Sequence, residues 1–148
     1  MPQLHLYTGP QLAHVIRGCA LLSPSGIPEV WLDEWQDLLL EQDKLASLGP
    51  DTLAAVVSAL DALNSQQAWN PSGQWADAWM SASAARLPDF RGRELRDVFL
   101  GLLGLGWKPD EEWLAQAKEV LGVRAAAMEA QDLASVLFAM TKMEVPFA

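Results

Sequence analysis

The sequence is poor in three features that define common classes of protein. Cys19 is the single cysteine among 148 residues, which excludes an internal disulfide and a thiolate metal cluster. No apolar run reaches the roughly 18 residues that a membrane span requires, because charged residues recur in every segment. Lys and Arg are scarce, ten against nineteen Asp and Glu, giving a net charge of −9. We therefore expect a packed domain with no membrane span.

The N-terminal segment also lacks the features of a targeting peptide. It has no basic region leading into an apolar stretch, and it is not rich in Arg and Ser. We expect that any targeting peptide is absent from this chain.

Four segments of the chain share one hydrophobic pattern. They align on four reference leucines, which are Leu12, Leu53, Leu95 and Leu133. Apolar residues recur zero, three, four, seven and ten positions from each reference leucine, and the residue at six positions is always Gly or Ala. This spacing follows one face of an α-helix, and the two-residue period of a strand cannot produce it. We call these segments the B helices and predict that their columns form the core.

A second unit, opened by proline and anchored by tryptophan, recurs between the B helices. Its leading tryptophans are Trp31, Trp75 and Trp113, and each starts a further apolar stripe at helical spacing. We call these the A helices and expect their leading tryptophans to be core residues. Trp69 and Trp107 lie between helices, and for these two residues the sequence leaves two roles open, burial in the core or stacking on nucleic-acid bases.

The order B-A-B-A-B-A-B predicts an all-α fold, an α-solenoid of about three and a half stacked helix pairs with seven helices. Residues 1–148 form either one domain or a segment of a longer array. The predicted units are a B helix over 9–22 and repeats over 28–64, 71–106 and 109–146. Because neither end carries a polar cap, we expect the end helices to expose apolar surface.

Two stretches of the last repeat resemble a known family. Pro109-Asp110-Glu111-Glu112-Trp113-Leu114 and the segment from Gln131-Asp132-Leu133-Ala134 to Met143 are similar to the two halves of an octotricopeptide repeat. The first repeat is recognisable in Thr8 to Ala13 and in Glu29 to Leu32, and the resemblance covers roughly residues 7 to 146. It implies an organellar (mitochondrial or chloroplast) protein that binds single-stranded RNA in transcript stability, processing or translation, or else a component of an organellar ribosome.

Arginines are concentrated at the start of the third B helix, where Arg91, Arg93 and Arg96 could meet a phosphate together with free backbone N–H groups. The competing interpretation is a solvated edge paired with Asp89, Glu94 and Asp97. His14 and Ser135 belong to the B-helix row two positions after the reference leucines, which we expect to line the concave surface. Thr141-Lys142 stands where the family pattern has Ala-Lys, so Lys142 matches the lysine of that pair. These six residues are the candidate RNA contacts.

No catalytic or metal-binding constellation is present in the sequence. Cys19 falls in an apolar B-helix column and is predicted to be a core thiol. Asp110, Glu111 and Glu112 lie in the first turn of an A helix, where the helix dipole favours acids. We expect neither an enzyme, nor a cofactor, nor a small-molecule substrate. Two functions remain open, an organellar RNA-binding factor and a protein-binding scaffold of a large assembly such as a ribosome.

Overall fold

A computed structural model describes residues 7–22, 27–41 and 44–143 of the chain. This part contains seven α-helices and no β-strand, which confirms the predicted all-α class. The helices are α1 (Gly9–Leu22), α2 (Glu29–Leu40), α3 (Pro50–Gln67), α4 (Gly73–Ala84), α5 (Gly92–Leu105), α6 (Glu111–Arg124) and α7 (Ala130–Lys142). Short 3₁₀ turns at Leu87–Asp89 and Ala125–Ala127 precede α5 and α7. The predicted repeat over 109–146 extends three residues beyond the described part.

The odd-numbered helices are the B helices, and they pack side by side in chain order. Helix α3 lies between α1 and α5, and α5 lies between α3 and α7. The A helices α2, α4 and α6 contact one another in the same order and also contact neighbouring B helices. Each unit therefore packs mainly on the units next to it in sequence.

Short polar side chains and proline begin most of the helices. At the start of α1, the backbone nitrogen of Thr8 donates to the side-chain oxygen of Gln11, and the backbone nitrogen of Gln11 donates to the hydroxyl oxygen of Thr8. Ser72 and Asp110 each accept a hydrogen bond from the backbone nitrogen three residues later. Arg91, the residue before α5, makes no side-chain cap, as its residue type predicts.

The predicted B-helix columns form the core in the middle of the molecule. All residues of the zero-, three-, four- and seven-position columns on α3 and α5 are fully buried. The outermost helices depart from the prediction: Val15, Cys19 and Leu133 are half-buried, and Leu137 is exposed. The core assignment is therefore wrong for Leu137. Helices α1 and α7 each have one B-helix neighbour instead of two, so their outer columns lack a covering helix among the described residues.

The leading tryptophans are buried, which confirms that Trp31, Trp75 and Trp113 are core residues. Of the two tryptophans between helices, Trp69 is buried and donates from Nε1 to Asp33 at 3.2 Å. Trp107 is half-buried, and its Nε1 donates to the side-chain oxygen of Asn70 at 3.1 Å. Both indoles therefore help to join neighbouring units.

Candidate functional site

A groove of about 490 Å³ runs over α3 between α1 and α5. Its floor comes from α3, which places Ala55, Ser58 and Ala62 there at helical spacing. Arg17 lines the groove from α1 and Arg93 lines it from α5. Because the side chains of α3 are short at these positions while its neighbours carry long ones, the middle helix is recessed. The short side chains in the sequence of α3 therefore create the groove.

Carboxylates outnumber guanidinium groups in the groove, but two of the three carboxylates are already engaged. Glu94 accepts a hydrogen bond from the backbone nitrogen of Arg91 at 2.9 Å, and Asp97 accepts one from Arg96 at 2.8 Å. The third carboxylate, Asp51, lies in the first turn of α3, where the helix dipole favours it. Within the described part of the chain, Arg17 and Arg93 form no ion pair. The two guanidinium groups are thus available to an anion.

The three candidate arginines at α5 have different surroundings. Arg93 is exposed and lines the groove, while Arg91 is exposed at the start of the helix. Arg96 is half-buried and forms ion pairs of 2.8 Å with Asp97 and 2.9 Å with Asp132. The hydrogen bond with Asp97 is the largest cause of a raised pKa of Arg96. Arg96 therefore joins α5 to α7, and its charge is largely neutralised within the fold.

The other three candidates lie on α1 and α7. His14 is exposed one turn before Arg17. Ser135 is half-buried and donates its hydroxyl to the carbonyl oxygen of Gln131 at 3.0 Å, so that hydroxyl can serve an external partner only as an acceptor. Lys142 is exposed at the end of α7, with its ammonium group 5.6 Å from the centre of the Phe138 ring. The structure thus brings Arg93, but not Ser135 or Lys142, into the α3 groove.

Sequence reasoning missed Arg17, the second guanidinium of the groove. The available signal was its place five positions after the reference leucine of α1, because Ser58 holds the same place on α3 and forms part of the floor. The surface row two positions after the leucines continues three residues further on along each helix, so it includes this position.

A reactive thiol, a metal site and a membrane-spanning helix are three other kinds of feature that could carry a function. Burial raises the pKa of the Cys19 thiol, which disfavours the reactive thiolate. Within residues 7–22, 27–41 and 44–143, no three His, Cys, Asp or Glu side chains gather in a way that could hold a metal ion. None of the helices in that part is long and apolar enough to cross a membrane.

Comparison with known proteins returned no match to any family, to any curated protein or to any solved structure.

Proposed function

We propose that this chain is an α-solenoid segment of an RNA-binding factor in organellar gene expression, with a single strand held in the α3 groove. The observation that carries the proposal is the pair Arg17 and Arg93, which line the groove from its two sides and have no ion-pair partner among the described residues. Guanidinium groups bind phosphate oxygens through paired N–H donors. The resemblance to octotricopeptide repeats supports the class of ligand and an organellar location.

The groove suits contact with the RNA backbone better than base reading. Its floor of Ala55, Ser58 and Ala62 offers one hydroxyl, so it can accept a strand closely while recognising few base edges. Phosphate contacts position a strand without reading its sequence. Sequence preference would then depend on residues beside the groove, such as His14.

Fluorescence anisotropy with labelled single-stranded RNA tests the proposal. Replacing Arg17 and Arg93 together by Ala should weaken binding of every RNA sequence alike. The matched control is Arg86→Ala with Lys108→Ala, which removes the same charge from residues outside the groove. Two phosphate contacts predict a slope of log K against log salt of about −1.4, since each contributes about −0.7 on single strands. Equal losses in the two double variants would contradict the groove as the binding site.

A protein-binding scaffold of a large organellar assembly is the second candidate function. It is favoured by the acid excess of the chain and by the exposed Leu137 and Phe138 on α7, because apolar side chains exposed together often mark protein contacts. Absence of RNA binding at low salt, together with copurification of ribosomal proteins with the natural protein, would favour this function over RNA binding.

A further inference from the structure

The contact between Val57 and Gly101 shows how each B helix packs on the next. The carbonyl oxygen and Cγ1 of Val57 lie 3.1 and 3.2 Å from the place that a Cβ on Gly101 would take. Val57 stands four positions after the reference leucine of α3, and Gly101 stands six after that of α5. A large residue of one helix thus fits beside a small residue of its successor. The equivalent residues of the other two neighbouring pairs are also buried, namely Ile16 with Ala59 and Phe99 with Ala139.

One large residue and one small residue of these columns have no partner of the other kind among the described helices. Leu137 on α7 is 39% exposed. Gly18 on α1 is half-exposed, and among the described residues no atom outside its own stretch of helix lies within 4 Å of the place that a Cβ would take. Val15 is half-buried, although the other three valines of its column are fully buried. The outer face of α7 therefore presents the large half of the repeated contact, and the outer face of α1 presents the small half.

We propose that these two faces bind each other between copies of the chain, head to tail. Leu137 of one copy would take the place beside Gly18 of the next that Val57 takes beside Gly101 within the chain. Because the two faces differ, the contact is heterologous, and each copy keeps one free face for a further copy. The assembly would extend the row of B helices from one molecule into the next.

Charge in the A layer matches this arrangement. The side-chain oxygen of Gln36, five positions after the leading tryptophan of α2, accepts a hydrogen bond of 2.9 Å from the loop before α4, so this position faces the following unit. Lys118 holds the same position on α6. Ala78, three positions after the leading tryptophan of α4, lines a cavity shared with α2, so this position faces the preceding unit. On α2 the equivalent residue is Glu34, and Asp37 lies one turn further along the same helix. Stacking would bring Lys118 of one copy towards Glu34 and Asp37 of the next.

Sedimentation of the 148-residue chain over a range of concentrations tests the stacking. We expect the average mass to rise with concentration. Leu137→Asp should weaken association about tenfold or more, because it places a charge where an apolar side chain would be buried. Gly18→Leu should do the same by filling the space that Leu137 needs. Val30→Asp is the matched control, since Val30 is 80% exposed and its equivalents Gln74 and Glu112 are exposed as well.

A mixing experiment separates head-to-tail stacking from symmetric pairing. The Leu137→Asp variant keeps a free α1 face and the Gly18→Leu variant keeps a free α7 face. At concentrations where each variant alone stays monomeric, a mixture of the two should therefore form one-to-one dimers. Thermal melts by circular dichroism verify folding, and Gly18→Leu should not lower stability because Leu favours helix over Gly. A wild-type chain that is monomeric at all concentrations, or association that survives Gly18→Leu, would overturn the proposal.

Discussion

The indole Nε1 of Trp35 on α2 donates a hydrogen bond of 2.8 Å to the carbonyl oxygen of Leu12 on α1. The same relationship recurs one unit later, where Nε1 of Trp79 donates to the carbonyl oxygen of Leu53 at 3.3 Å. In both cases the acceptor is a reference leucine and the donor is the residue four positions after a leading tryptophan. These bonds link the A layer to the B layer at repeat-equivalent points.

Tryptophan-to-phenylalanine substitutions should have unequal effects on stability. Trp35→Phe removes a buried hydrogen bond and part of a packed ring, and we expect a loss of about 1–3 kcal/mol in the free energy of unfolding. Trp75→Phe should cost clearly less, because its buried Nε1 has no hydrogen-bond partner among the described residues. Urea unfolding of both variants measures the difference. Equal losses would show that the hydrogen bond contributes little.

The sequence explains why the indole Nε1 of Trp75 lacks a hydrogen-bond partner among the described residues. At the next unit, Nε1 of Trp113 donates to the hydroxyl of Ser83 at 3.0 Å. Leu39 holds the equivalent place for Trp75 and offers no side-chain acceptor. Trp113→Phe is therefore the control that should behave like Trp35→Phe.

Truncating reference leucines should test the position of each helix in the row. Leu95→Ala, on the central helix α5, should cost about 2–5 kcal/mol because Leu95 is fully buried. Leu133→Ala, on the outer helix α7, should cost less because Leu133 is half-buried. Chemical denaturation gives both values. Losses below about half a kcal/mol for both variants, within the range of surface substitutions, would refute the repeat alignment.

The ion pair between Arg96 and Asp132 should stabilise the contact of α5 with α7. Arg96→Ala leaves the carboxylate of Asp132, whose side chain is 11% exposed, without its partner at 2.9 Å, and we expect a loss of about 1–3 kcal/mol. Asp132→Asn keeps an acceptor for Arg96 and should cost less. Hydrogen exchange of α7 amides reports the local effect. Unchanged protection in the Arg96→Ala variant would argue against a structural role for this arginine.

Asp61 should give a measurable dependence of stability on pH. Burial raises its pKa above the ordinary value of 3.8. Between 3.8 and the raised folded value, the folded chain binds more protons than the unfolded chain, so the contribution of Asp61 to stability falls as pH rises through this window. Asp61→Asn should therefore be more stable than the wild type at pH 7, and the difference should shrink towards pH 3.

Denaturation of both proteins at several pH values measures this difference. Gly104→Ala changes the surroundings of the same carboxylate, since a Cβ at Gly104 would overlap the Asp61 carboxylate and force it to move. A constant gap between wild type and Asp61→Asn at all pH values would contradict titration of Asp61 as the cause.

The sequence by itself determined the helices, their order and which face of each is apolar. Repeated spacing carries this information because each B-helix column recurs in four segments and each A-helix tryptophan in three, so burial of Leu53, Val98 or Trp113 follows from local periodicity. The sequence also placed Arg93 at the start of the third B helix.

Tertiary structure decided which repeated positions are covered and which charges are free. Leu137 belongs to the same column as Phe99, but no helix covers it on its outer side among the described residues. Arg96 and Arg93 are three residues apart, and only Arg96 meets a carboxylate from α7. Such outcomes depend on what a neighbouring helix places opposite a residue, and the periodicity of one helix holds no information about the side chains that face it.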